Sequence, residues 1–133
     1  MAGYKVGDVI SGQSDEAYIY VLVDPRDDKI HYVGCSFNPA SRLREHVSNA
    51  KTAFNRNVKL SRKNHWIIQL LLCQHHPLMR IIDICSIAEA PDKEREHYDR
   101  LLPDNELLNG HRPSLSSRLP GYGPLDAQAK NTN

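Results

Sequence analysis

Two tyrosines, Tyr20 and Tyr32, stand ahead of an arginine and a histidine, Arg42 and His46, set four residues apart. Those residue types in that company suit phosphodiester hydrolysis, which needs an activated water, neutralisation of the charge on a pentavalent phosphorane, and a stabilised leaving oxygen. A tyrosine of ordinary pKa, near 10, is only about 0.1% phenolate at neutral pH, so it serves as a base only where cations depress that value. Arg42 is the obvious cation. Its four-residue spacing from His46 puts both on one helix face, from which both can point at a sheet carrying the tyrosines.

The charge pattern supports a polyanionic partner. The formal net charge is only +1, but from Arg42 to Lys63 seven cations face a single acid, Glu45, whereas from Asp83 to Glu106 eight acids face three cations. The basic segment suits nucleic acid, and the acidic one suits either a divalent cation or a solvated helix face. Cys35, Cys73 and Cys85 form no C-x-x-C pair and are odd in number, so neither a disulfide framework nor a structural zinc site is expected. Trp66 to Cys73, the longest apolar stretch, is too short to span a membrane, and Met1 to Asp8 has no apolar signal-peptide core. The expectation is a cytoplasmic or nucleoid-associated protein with no membrane partner.

A chain of 133 residues holds one domain. Residues 1 to 16 read as a lead-in. Tyr18 to Val23 is β-branched and aromatic with both faces apolar, as in a central strand. Asp24 to Lys29 supplies a hairpin turn, and Ile30 to Gly34 returns as the second strand. Asn38-Pro39 starts a helix expected from about Ala40 to Ala50, followed by a polar loop from Lys51 to Ser61. A buried helix is expected over Asn64 to Gln74, a third strand over Leu78 to Ser86, and an acidic helix from Ala90 to about Leu102. Residues 111 to 133 read as a tail containing proline, glycine and serine. The fold class is therefore α+β, a small three-stranded antiparallel sheet opened by a β-hairpin and flanked by helices, in the order β-β-α-α-β-α.

Tyr18-Ile19-Tyr20, Tyr32-Val33-Gly34, Arg42, His46, Glu96 and Asn109, in that order, resemble the GIY-YIG nuclease superfamily, and the likeness runs from about Tyr18 to Asn109. Arg42 lies eight residues past Gly34 and His46 four further, as in the family, and the K-x-x-W-I-x-x-L run from Lys63 to Leu70 looks like its middle helix. The resemblance implies a nuclease domain over residues 17 to 110, acting as a metal-dependent DNA endonuclease. The general base is shared among Tyr20, Tyr32 and His46, and Glu96 holds a single Mg²⁺ or Mn²⁺ in each active site, since one carboxylate completed by waters and a phosphate oxygen suits Mg²⁺. Glu94 competes with Glu96 for that role; two residues apart on a helix, they point about 200° from each other, so only one can face the sheet. The expectation is Glu96, because Tyr98 follows it at the place of an inward-packing family residue. Asn109 is expected to orient backbone or active-site groups. Arg44, Lys59, Arg62 and Lys63 are expected to contact DNA phosphates. With so little chain outside the core, target choice would come from loops, a homodimer or a targeting partner protein.

Two positions depart from the family pattern. Tyr18 replaces the opening glycine of the first motif and shares a face with Tyr20, and Cys35 stands where some members carry lysine. The alternative is therefore a catalytically weak or inactive nucleic-acid-binding module on the same fold.

Overall fold

The computed structural model describes residues 16 to 110 together with Pro113. Both the expected lead-in, apart from Glu16, and the expected tail, apart from Pro113, lie outside those residues. The elements are β1 (Glu16–Asp24), β2 (Lys29–Ser36), α1 (Pro39–Asn55), α2 (Arg62–Leu72), β3 (Leu78–Ser86) and α3 (Ala90–Leu101), with a short 3₁₀ turn at Leu102–Asp104. This is the expected α+β order, an open antiparallel sheet with β1 in the centre, between β2 and β3.

The unbroken apolar run of β1 is explained by burial on both faces. Tyr18, Tyr20 and Leu22 pack with Ala50 of α1 and Trp66, Ile67 and Leu70 of α2. Ala17, Ile19, Val21 and Val23 pack with Ala90 and Tyr98 of α3 on the other side. The molecule is thus three layers, with α1 and α2 on one face of the sheet and α3 on the other. Each fully buried Ile or Leu in these layers contributes roughly 1.5–3 kcal/mol.

Helix α1 runs to Asn55, five residues past the expected end, so the polar stretch 51–55 is helical and the connecting loop starts only at Arg56. Asn38 caps α1 by accepting from the Ser41 N–H, with Pro39 in the first turn. Ser61 caps α2 in the same way through Asn64, which starts that helix two residues early. Asn57 and Gln74, at φ 59° and 65°, take the left-handed conformation that closes each helix.

Between Leu22 and Val23 the register slips, so that Leu22 pairs with Tyr32 and Val23 with Ile30, leaving His31 as a bulged residue. Such a bulge turns the side chain toward a new neighbour. The His31 ring sits 4.8 Å from that of Trp66. The free edge of β2 is covered by the chain after the 3₁₀ turn: the Leu108 N–H donates to the His31 carbonyl at 2.6 Å, and the Ile30 N–H donates to Asn105 Oδ1 at 3.1 Å. Covering an edge in this way prevents strand addition by another chain.

Candidate active site

Strand pairing sets Tyr20 opposite Gly34. A Cβ at position 34 would collide with the tip of the Tyr20 ring and its hydroxyl. Glycine is therefore required there, because it lets the phenol lie flat across β2 toward the sheet edge. Tyr20 is 1% exposed. Its hydroxyl is 2.7 Å from His46 Nε2, and His46 Nδ1 is 2.9 Å from Lys63 Nζ. Tyr32 closes the group, with its ring edge-on to His46 at 5.0 Å and the Lys63 ammonium 5.3 Å from its centroid. Three elements beyond β1 meet here: β2 supplies Tyr32, α1 supplies Arg42 and His46, and α2 supplies Lys63.

The electrostatics follow from burial next to cations. Burial, then Lys63, then Arg42 push the His46 imidazole down to about 3, so it is neutral at physiological pH. Burial and Arg42 hold Lys63 below the usual lysine range. Tyr20 moves the other way, well above an ordinary tyrosine: burial dominates and Tyr32 adds to it, Arg42 opposes, and Glu94 and Cys35 reinforce the rise. Arg42 does favour the phenolate, as its charge requires, but burial outweighs it. Tyr20 rests as a neutral phenol.

Helix α3 turns Glu94 inward, and not the expected Glu96. Glu94 is 7% exposed and close enough to Tyr20 to act on its ionisation. The Glu96 side chain is 67% exposed and pairs loosely with Lys93 at 3.9 Å. The inward stripe of α3 is Ala90, Glu94, Tyr98 and Leu101, a helical repeat of four, four and three. Tyr98 follows Glu94 by four residues and so shares its face, whereas at two residues from Glu96 it lies nearly opposite. The inward carboxylate is Glu94.

Asn109 clamps β2. Its Oδ1 accepts from the Val33 N–H at 3.2 Å and its Nδ2 donates to the Val33 carbonyl at 2.8 Å, which holds the strand between Tyr32 and Gly34. Arg42 is half-exposed and reaches Glu45 at 3.3 Å. Arg44 and Lys59 are exposed, and Arg62 is exposed and paired with Glu106 at 3.1 Å. Lys63, also expected to contact DNA phosphates, is half-buried and turned onto His46. Tyr18 is buried in the same core as Tyr20. Cys35 is half-buried, packs toward the α3 side and raises the Tyr20 pKa.

Asp24, Asp27 and His31 bring three potential ligand atoms within 4.8 Å of one another at the hairpin. Asp24 is already committed there. It accepts from the Arg26 backbone and guanidinium and from Trp66 Nε1 at 3.0 Å, and these bonds, set against the cost of burial, hold its carboxyl far below the usual range. The cluster organises the turn. Glu94 is the buried carboxylate of α3, a hard oxygen donor of the kind that suits Mg²⁺ when waters complete the shell.

Residues 16 to 77 match the family model of the GIY-YIG catalytic domain, a span from β1 to just past α2 that includes Tyr20, Tyr32, Arg42, His46 and Lys63. No curated protein and no solved structure matches the chain significantly.

Proposed function

We propose that this chain, whose residues 16 to 77 match the GIY-YIG catalytic domain, is a divalent-metal-dependent DNA endonuclease hydrolysing phosphodiester bonds at a single-metal site. The observation that carries this reading is the Tyr20–His46 hydrogen bond, buried beside Tyr32, Arg42 and Glu94 at the place where the family motifs meet.

Glu94 is the residue that would hold the ion, and the ion, when bound, would supply charge neutralisation at the phosphate and the leaving oxygen. Arg42, half-exposed beside the phenol, stabilises the charge that builds on the phosphorane. Tyr20 and His46 together handle the proton of the attacking water, with Tyr32 packed against both rings. Because Tyr20 rests protonated, its ionisation needs added positive charge, and a cation held at Glu94 would offset one of the influences that keep the phenol neutral. Asn109 acts on the backbone alone, fixing Tyr32 and Gly34 through Val33.

The DNA reading is supported by the exposed Arg44 and Lys59. A groove of about 440 Å³ beside α2, which Arg26, Arg62 and His65 help to line, adds to it. Supercoiled plasmid incubated with the protein, with Mg²⁺ or Mn²⁺ and with a chelator, should be nicked or linearised only with the metal. Binding without cleavage under every metal condition would instead favour a nucleic-acid-binding module on this fold.

A further inference from the structure

We propose that Lys63 is a positioning residue whose ammonium donates to His46 Nδ1, fixing the imidazole as its Nε2–H tautomer and so making the Tyr20 oxygen the acceptor of the Tyr20–His46 hydrogen bond.

A lysine ammonium has three donors and no acceptor. At 2.9 Å from Lys63 Nζ, His46 Nδ1 must therefore present its lone pair. A neutral imidazole carries one ring hydrogen, and with Nδ1 bare it sits on Nε2. Nε2 is 2.7 Å from the Tyr20 oxygen, so the N–H donates and the phenol accepts. The Tyr20 hydrogen is then released toward a third group instead of being tied to His46. The reverse arrangement, in which Tyr20 donates to Nε2, requires Nδ1–H and an uncharged lysine amine as its acceptor. The placement of Lys63 Nζ over the face of Tyr32 opposes that, because the ring quadrupole favours the charged form.

The helix supplies this residue for a reason visible in its packing. Lys63 lies three residues before Trp66 and seven before Leu70, on the buried face of α2, and the four-carbon stem lets a charge anchored in that face reach His46. The cluster takes charged or titratable groups from every layer: Tyr20 from β1, Tyr32 from β2, Arg42 from α1, Lys63 from α2 and Glu94 from α3. Of these, Lys63 stands at hydrogen-bond distance from Nδ1. A Tyr20 oxygen that already accepts an N–H is prepared to carry negative charge, which is what a tyrosine base needs.

The effect on cleavage rests on the nuclease reading; the tautomer does not. The full-length, metal-free protein, labelled with ¹⁵N in histidine, is examined by long-range ¹H–¹⁵N correlation of the His46 ring, as wild type and as Lys63→Met and Lys63→Arg. Wild type and Lys63→Arg, which keeps a donor-only cation, should show a bare Nδ1 and a protonated Nε2. Lys63→Met, which keeps chain length and loses the donor, should shift the population toward Nδ1–H. In the plasmid assay Lys63→Met should cleave about 10- to 100-fold more slowly, the scale set by losing a residue that orients a functional histidine, with duplex DNA affinity and its salt dependence unchanged. Lys63→Arg should recover most of the rate. An Nδ1–H tautomer in the wild type overturns the proposal, as does a Lys63→Met protein with an unaltered tautomer and a weaker, less salt-dependent grip on DNA, which would make Lys63 a phosphate contact. Should the wild type fail to cleave at all, the nuclease reading falls while the resonance experiment on the wild type still decides the tautomer.

Discussion

Two buried polar clusters lie along β1, one around Asp24 at its end and one around Tyr20 near its middle, and they are wired in opposite ways. At Asp24 a carboxylate is met by the Arg26 guanidinium and the Trp66 indole, its acceptors are filled, and its charge is compensated. At Tyr20 a neutral phenol and a neutral imidazole sit between two cations, Arg42 and Lys63, and the acid that also acts on the phenol arrives from the opposite helical layer. Charge gathered around buried neutral groups shifts their ionisation, as functional sites require, whereas a closed ion pair stabilises a turn. Both clusters hold a histidine among charged neighbours, so composition alone does not separate them; what separates them is the charge at the centre, a paired carboxylate at Asp24 and cations around neutral rings at Tyr20.

The largest effects should fall on the Tyr20 cluster and leave the Asp24 cluster silent. Glu94→Gln should abolish metal-dependent cleavage, a loss beyond about 10³-fold, with folding and DNA binding nearly intact, because it removes the buried carboxylate of α3 that would hold the ion. Glu96→Gln, on the solvent side, should cleave like wild type. Side-by-side plasmid kinetics decide this, and the reverse pattern would place the metal on the outer face of α3. Arg42→Ala should slow cleavage by about 10² to 10³, roughly 3–4 kcal/mol, while affinity for duplex DNA changes little, as expected for a group acting on charge that develops during reaction. A wild-type rate would reduce Arg42 to the surface partner of Glu45.

How far the sequence reaches can be judged from particular residues. Strand β3 and the start of α3 fall where alternation and Pro91 place them, and the hairpin follows from Asp24 to Lys29. The extension of α1 to Asn55 was hidden because residues 51 to 55 bury little, and a helix face turned to water leaves no apolar period to read. Glu94 was legible but misread: pairing Glu96 with Tyr98 at a spacing of two applies the period of a strand to a helix, whereas Ala90, Glu94, Tyr98 and Leu101 form one face at the helical period. Lys63 disappeared into a count of seven cations, since net charge carries no direction. Its spacing to Trp66 and Leu70 was the available signal. The clamp of Asn109 on Val33 joins residues far apart in sequence, and no local pattern announces it.

Acid should separate the two clusters by window. Asp24, with its carboxyl held below the unfolded value, adds stability that is complete above about pH 4 and is lost as pH falls further. His46 is depressed to about 3, so the unfolded chain takes up a proton from roughly pH 6.5 downward that the folded protein refuses, and stability falls from there toward pH 3. Chemical denaturation at pH 7, 6 and 5 should show a loss approaching about 1.4 kcal/mol per pH unit at the lower end, reduced in His46→Gln and retained in Asp24→Asn. At pH 7 Asp24→Ala should cost about 1.5–3 kcal/mol, because the Trp66 N–H and the Arg26 backbone N–H lose their charged acceptor. An identical pH profile in His46→Gln would mean that His46 titrates in the folded protein as it does in the unfolded chain.

The smallest effect belongs to neither cluster and tests the boundary between them and the surface. Arg44 and Lys59 are exposed, and among the described residues no ion pair engages either side chain. A cation that neutralises one phosphate releases its condensed counterion and contributes about 0.9 to the slope of log affinity against log salt for duplex DNA. Arg44→Ala with Lys59→Ala should therefore lower that slope by about 1 to 2 and weaken binding to all duplex sequences alike, since phosphate contacts carry no base information. Cleavage at saturating DNA should stay near wild type, which distinguishes these residues from Arg42, two residues before Arg44 yet close enough to act on the Tyr20 phenol. Fluorescence anisotropy of a labelled duplex across a salt series gives the slope, and an unchanged slope would move the DNA path off this face, leaving Arg42 as the point where the basic segment meets the substrate.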